Sequence, residues 1–88
     1  MSAETKAELK QQVKQYIEDN ADKHFLWVTV GIAQPFMDHP YHYPQTEDAG
    51  YRRVLIVCNE LHKEGILGKF TTTMNENVWY LKSRVDNS

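Results

Sequence analysis

The chain holds one cysteine, Cys58, so no internal disulfide can form, and a reducing, cytoplasmic setting is the expectation. Its four glycines occur singly, which excludes a glycine-rich cradle for phosphates. Long apolar runs are missing. The two longest, 25–28 and 54–58, are four and five residues, against the roughly 20 that a membrane span needs. The first residues, Met-Ser-Ala-Glu-Thr-Lys, contain no apolar stretch, so neither a secretory leader nor a membrane partner is expected. Positive charge is also short: a formal net charge of −2 and a pI near 6.0 exclude a strong, nonspecific nucleic-acid binder. Carboxylates are scattered with no converging pair, and no Ser/His/Asp arrangement stands out. The chain therefore does not read as an enzyme, and no cofactor is implied.

What is present is an ordinary folding composition, 41% hydrophobic and 25% charged over 88 residues. That is one core's worth of apolar side chains, hence a single domain over 1–88. The charge is unevenly spread. Residues 1–23 are net −1, residues 24–48 net −3, and residues 49–88 net +2. An anionic partner should meet the C-terminal part.

Thr5 and Glu8 have capping-box spacing, and Leu9, Val13, Tyr16 and Ile17 mark one face of a first helix over 5–20. The aromatic, β-branched stretch 25–28 predicts a brief strand. Thr29 is placed to cap a second helix carrying Val30, Ile32, Ala33, Phe36 and Met37, which Pro35 should shorten or kink. Two prolines, two tyrosines and two histidines crowd 38–47 and predict an ordered loop with no regular element. Either Thr46 or Asp48 then caps a third helix, 48–64, ended by Gly65. Val54, Val57, Cys58 and Leu61 form its apolar face, and Arg52, Ile56, Asn59 and Lys63 lie opposite. Strands at 69–73 and 78–82 flank a hairpin tip at 74–77, with Trp79 and Leu81 on one face and Val78 and Tyr80 on the other. Residues 83–88 read as a frayed tail.

Helix, short strand, helix, helix and β-hairpin is an order that resembles the winged helix-turn-helix family. The class is then α+β, a three-helix core with a C-terminal two-stranded β-hairpin wing, its core over 5–82. The stretch 51–67, with Leu61, Glu64, Gly65, Ile66 and Leu67 in sequence, is similar to that family's recognition helix running into its wing. The stretch 28–33 resembles the lead into the second helix, and 78–81 the closing wing strand. The resemblance implies a small sequence-specific binder of double-stranded DNA, a transcriptional regulator that reads the major groove with helix 48–64. It places Tyr51, Arg52, Arg53, Ile56 and Asn59 at base edges, where arginine forks to guanine, asparagine to adenine, and an apolar group touches the thymine methyl. Lys63, Lys69 and Lys82 would meet phosphates. Members of the family often bind as homodimers. Here the first helix would have to supply that contact, although its apolar residues are needed in the core.

Two features depart from the family pattern. The tip carries Glu76 and no Lys or Arg, and the link between the second and third helices is long. Both suit a rival reading as a protein-binding adaptor or inhibitor of phage or plasmid type, using the same face or the 39–44 loop. Glu60, Glu64 and Glu76 decide between the two, by whether they interrupt the basic face. His39 and His42, with Asp38 adjacent, are weak candidates for a metal site, because His-x-x-His in a loop has no paired cysteines to complete it. Cys58, on the apolar helix face, reads as a small buried hydrophobe.

Overall fold

The computed structural model describes residues 3–39 and 44–86. Within them the order is α1 (Ala3–Asp19), β1 (Trp27–Val28), α2 (Thr29–Ala33), α3 (Ala49–Lys63), β2 (Leu67–Thr71), β3 (Asn77–Leu81) and α4 (Lys82–Asp86). Single 3₁₀ turns occupy Gln34–Phe36 and Gln45–Glu47. The class is α+β: helices pack on one another and on a three-stranded antiparallel sheet of order β1-β3-β2. β2 and β3 form the hairpin wing on that helical core.

Helix α1 starts at Ala3, so Thr5 lies inside it and is not its cap. Ala3 and Glu4 contain no helix breaker, which lets the helix extend past the capping-box position. Val13 and Ile17 are fully buried, with Leu9 and Tyr16 packed beside them. The helix ends where Asn20 turns both its backbone and side-chain nitrogens onto the Tyr16 carbonyl, at 3.2 and 2.9 Å.

β1 is only two residues, shorter than the expected 25–28. Trp27 pairs with Trp79 and Val28 with Val78, adding a third strand to the two-stranded wing expected from the pattern. Phe25 and Leu26 stay outside it and exposed. Thr29 is the first residue of α2 and caps nothing, because its hydroxyl is committed elsewhere: it accepts the Trp79 indole N–H at 2.9 Å in the core. Pro35 acts as its chemistry requires. The α-helix stops at Ala33, and the chain tightens into the 3₁₀ turn before Met37.

Asp48 is the residue that caps α3. Its Oδ1 accepts the backbone N–H groups of Gly50 and Tyr51 at 2.8 and 3.4 Å. Val54, Val57, Cys58 and Leu61 turn inward and are buried. Each such side chain removed from water contributes about 2 kcal/mol. At the other end, Gly65 takes φ 82°, its N–H donates to the His62 carbonyl, and that of Ile66 donates to the Leu61 carbonyl. These two bonds are the Schellman pair. Gly50 is fixed by close approach: a Cβ there would stand 2.3 Å from the Phe36 carbonyl oxygen.

The hairpin begins two residues before the expected 69, because Leu67 and Leu81 pair and are both buried. Its tip is built by Thr72, whose hydroxyl accepts from the N–H groups of Met74 and Glu76. Trp79 and Leu81 face the core, as the two-residue period predicts, while Tyr80 lies on the outer face between the rings of Phe25 and Phe70. Two further expectations are corrected. The loop 38–47 contains the turn Gln45–Glu47, with positions 40–43 outside the described residues. The frayed tail is instead helical over Lys82–Asp86. It is held by the Lys82 N–H on the Ile66 carbonyl and by Arg84 on Asp22 at 2.9 Å; positions 87 and 88 lie outside the described residues.

Candidate nucleic-acid interface

The inward face of α3 is fixed by its buried residues, and this rotation decides what the helix shows to solvent. Arg52, Ile56, Asn59 and Lys63 follow one another at four-, three- and four-residue spacing along its outer side. Arg52 and Lys63 are exposed, Ile56 is 52% exposed, and Asn59 is half-buried. Two of the polar members already have local partners. The Arg52 guanidinium donates to the Glu47 carbonyl at 3.2 Å, and the Asn59 amide donates to the Leu55 carbonyl at 3.1 Å. Each bond uses one N–H, and the guanidinium has four more and the amide one more for other partners.

Arg53 sits toward the α1 side, where its guanidinium lies 3.7 Å from the Asp38 carboxylate. Tyr51 and Leu55 flank the stripe on the opposite side. They help line a groove of about 370 Å³ between α3 and the wing tip, together with Val28, Val30, Asn75 and Glu76. Lys69 lies on β2 and Lys82 opens α4, so neither belongs to the helix stripe. Lys69 is exposed, with its ammonium 5.4 Å from the centre of the Trp79 ring, a cation–π position. Lys82 is half-buried where β3 passes into α4. The structure thus gathers four of the eight candidates on one strip and spreads the other four around it.

The carboxylates divide in the same way. Lys6 reaches Glu60 at 2.7 Å, and Lys10 bonds Glu64 and stands 3.9 Å from Glu60. The Lys6 ammonium, aided by the charges of Lys10 and Lys63, holds the Glu60 carboxyl below its ordinary pKa against a smaller desolvation effect. The bond to Glu64 raises the Lys10 ammonium in turn. Both glutamates are therefore paired with lysines of α1, while Glu60 also feels the charge of Lys63 on the stripe. Glu76, by contrast, faces the groove beside it. Two ladders of opposite charge, Lys6/Lys10 and Glu60/Glu64, each with four-residue spacing, were the sequence signal for this pairing.

The N-terminal end of α3 is acidic and tightly bound. Asp48 accepts four backbone N–H bonds, from Asp38 (3.0 Å) and His39 (2.7 Å) as well as Gly50 and Tyr51. Partial desolvation works to raise its pKa, but the donors of His39, Asp38, Gly50 and Tyr51 together hold it below the usual carboxylate value. The same carboxylate therefore caps α3 and fastens the chain leaving the 3₁₀ turn of Gln34–Phe36.

Cys58 is fully buried, and burial pushes its thiol up to about 12, far from a reactive thiolate. Of the metal candidates, His39 donates its backbone N–H to Asp48, and His42 lies outside the described residues. Among the described residues, no three His, Cys, Asp or Glu are grouped to share an ion. Nor, among them, is any helix long and apolar enough to cross a membrane. Comparison of the chain with protein-family models, with curated proteins and with solved structures gives no match in any of the three.

Proposed function

We propose that the protein is a small sequence-specific binder of double-stranded DNA, a transcriptional regulator of the winged helix-turn-helix type, with α3 as its recognition helix. One observation carries this reading: pairing of Glu60 and Glu64 with Lys6 and Lys10 leaves Arg52, Ile56, Asn59 and Lys63 as a carboxylate-free strip. A helix of this diameter fits the major groove, and the strip offers a guanine fork, a thymine contact, an adenine fork and a phosphate contact in order. Arg53 joins after parting from Asp38, while Lys69 and Lys82 hold backbone phosphates on the wing side.

The test is a mobility-shift series on random and genomic duplexes at low salt, comparing the native chain with the Arg52→Ala/Arg53→Ala double variant. Binding at micromolar protein is expected, with a loss of about tenfold or more in the variant. Absence of binding at that concentration, or an unchanged variant, overturns the reading. Glu76 in the groove and Asp38 on Arg53 favour a second reading, a protein partner docked on the same face. It predicts the first of those outcomes, with no duplex bound.

A further inference from the structure

Among the described residues the sheet has the order β1-β3-β2, so β2 is an outer strand. Two backbone bonds fix which of its groups point outward. The Thr72 N–H donates to the Glu76 carbonyl at 2.9 Å and that of Lys82 to the Ile66 carbonyl at 3.1 Å. Both lie in the register that sets Lys69 beside Trp79, and bonded positions alternate along an antiparallel pair. Ile66, Gly68, Phe70 and Thr72 therefore face β3, while Leu67, Lys69 and Thr71 turn their backbone groups to the free edge. That edge is closed at its start, where the His62 Nδ1–H donates to the Leu67 carbonyl at 2.9 Å. Beyond it, residues 69–71 are all exposed. Lysine is a common guard of such an edge, but the Lys69 ammonium is drawn back over the Trp79 ring. On the outer face the Tyr80 ring lies across Gly68, where a Cβ would stand 2.1 Å from its Cζ. Phe70, 43% exposed, sits beside it.

An open strand edge is a template for another strand. We propose that the partner is a second copy of this chain, joined antiparallel through β2 about a two-fold axis at Phe70. The groups along the edge select that register. An axis at Gly68 would set Lys69 against the closed Leu67, and one at Lys69 would set two lysines directly opposite each other. An axis at Thr71 would need position 73, which belongs to the hairpin turn. An axis at Phe70 pairs each Lys69 with the second copy's Thr71, giving four backbone hydrogen bonds in all. It also brings the two exposed Phe70 rings together, so that the row of Phe25, Tyr80 and Phe70 continues across the axis. Helix α1 does not supply the contact, since Val13 and Ile17 are buried in its own core. So short a ladder buries much less than the roughly 1,200 Å² of a stable complex, and the dimer therefore forms only at high concentration. The proposal does not depend on DNA binding by α3.

The test is sedimentation equilibrium from about 10 μM to about 1 mM protein, with amide exchange followed at both ends of the range. Dimer should appear toward the upper end. Exchange at Lys69 and Thr71 should slow with it, while Gly68 and Phe70, already bonded to β3, should not change. Thr71→Pro removes an outward donor and no bond to β3, so it should fold and stay monomeric throughout. Thr71→Glu places a carboxylate opposite each Lys69 of the other copy and should tighten association several-fold at low salt. A monomer over the whole range, a dimer undiminished in Thr71→Pro, or no tightening in Thr71→Glu overturns the proposal.

Discussion

Thr29 and Trp79 show how a single bond can reassign a residue. Ahead of a helix, a threonine reads as a cap, yet its hydroxyl is spent on an indole N–H fifty positions away, in a buried setting. Replacing Thr29 by Val keeps the shape and removes the acceptor, leaving Trp79 with an unanswered donor in the core. The expected loss is about 1–3 kcal/mol, read as a lower urea midpoint with an unchanged slope, while Thr29→Ser should retain most of the stability. A valine variant as stable as the native chain would mean that the bond contributes nothing. At this scale the sequence is legible wherever a side chain answers only to its own element. Val13, Ile17, Val54, Leu61 and Trp79 are buried as their periodicity predicts. It is illegible where the partner is distant: local pattern cannot pair Thr29 with Trp79, or Arg84 with Asp22.

Among the elements, α3 was legible apart from the choice between Thr46 and Asp48 as its cap, because its signals are local: a capping residue before the first turn, an inward stripe, and Gly65 after the last. The loop leading to it was not legible, because Asp48 also binds the backbone of Asp38 and His39, ten and nine positions back. Asp48→Ala should therefore loosen two elements at once. A fall in melting temperature is expected, together with faster amide exchange at Asp38 and His39 as well as at Gly50 and Tyr51. Protonation should act in the same direction. The carboxyl of Asp48 lies below its ordinary value in the folded chain, so its contribution is fully present above that value and is lost as pH falls through the folded one. Thermal stability followed from about pH 6 to about pH 2 should fall less steeply in Asp48→Ala than in the native chain. Parallel acid limbs would remove Asp48 from the account. The two-residue β1 and the five-residue α4 were missed in part for a related reason. Elements this short have little propensity of their own and exist through the pairing of Trp27 with Trp79 and the hold of Asp22 on Arg84.

Over the whole molecule, the net charge of −2 is less informative than where each sign is spent. Two glutamates of α3 are absorbed by α1, an acidic cluster closes around the helix N-terminus, and Glu76 stands alone in the groove between α3 and the wing. A duplex seated on α3 would bring its phosphate backbone along that groove, so Glu76 acts against the proposed ligand at long range without touching a base. With Lys63, Lys69 and Lys82 as the phosphate contacts, about three counterions are released, and the logarithm of affinity should fall with the logarithm of salt with a slope near −3. Glu76→Lys replaces a repulsion by an attraction at an exposed tip position whose turn is held by backbone bonds to Thr72, so the fold should be unaffected. Affinity for duplexes should rise several-fold at low salt, and the slope should steepen by about one. Sequence preference should not change, since no base contact is altered. If the affinity stays constant, or the slope keeps its native value, the wing groove does not run along DNA. The exposed Ile56, flanked by Tyr51 and Leu55, would then be the centre of a protein-binding face instead.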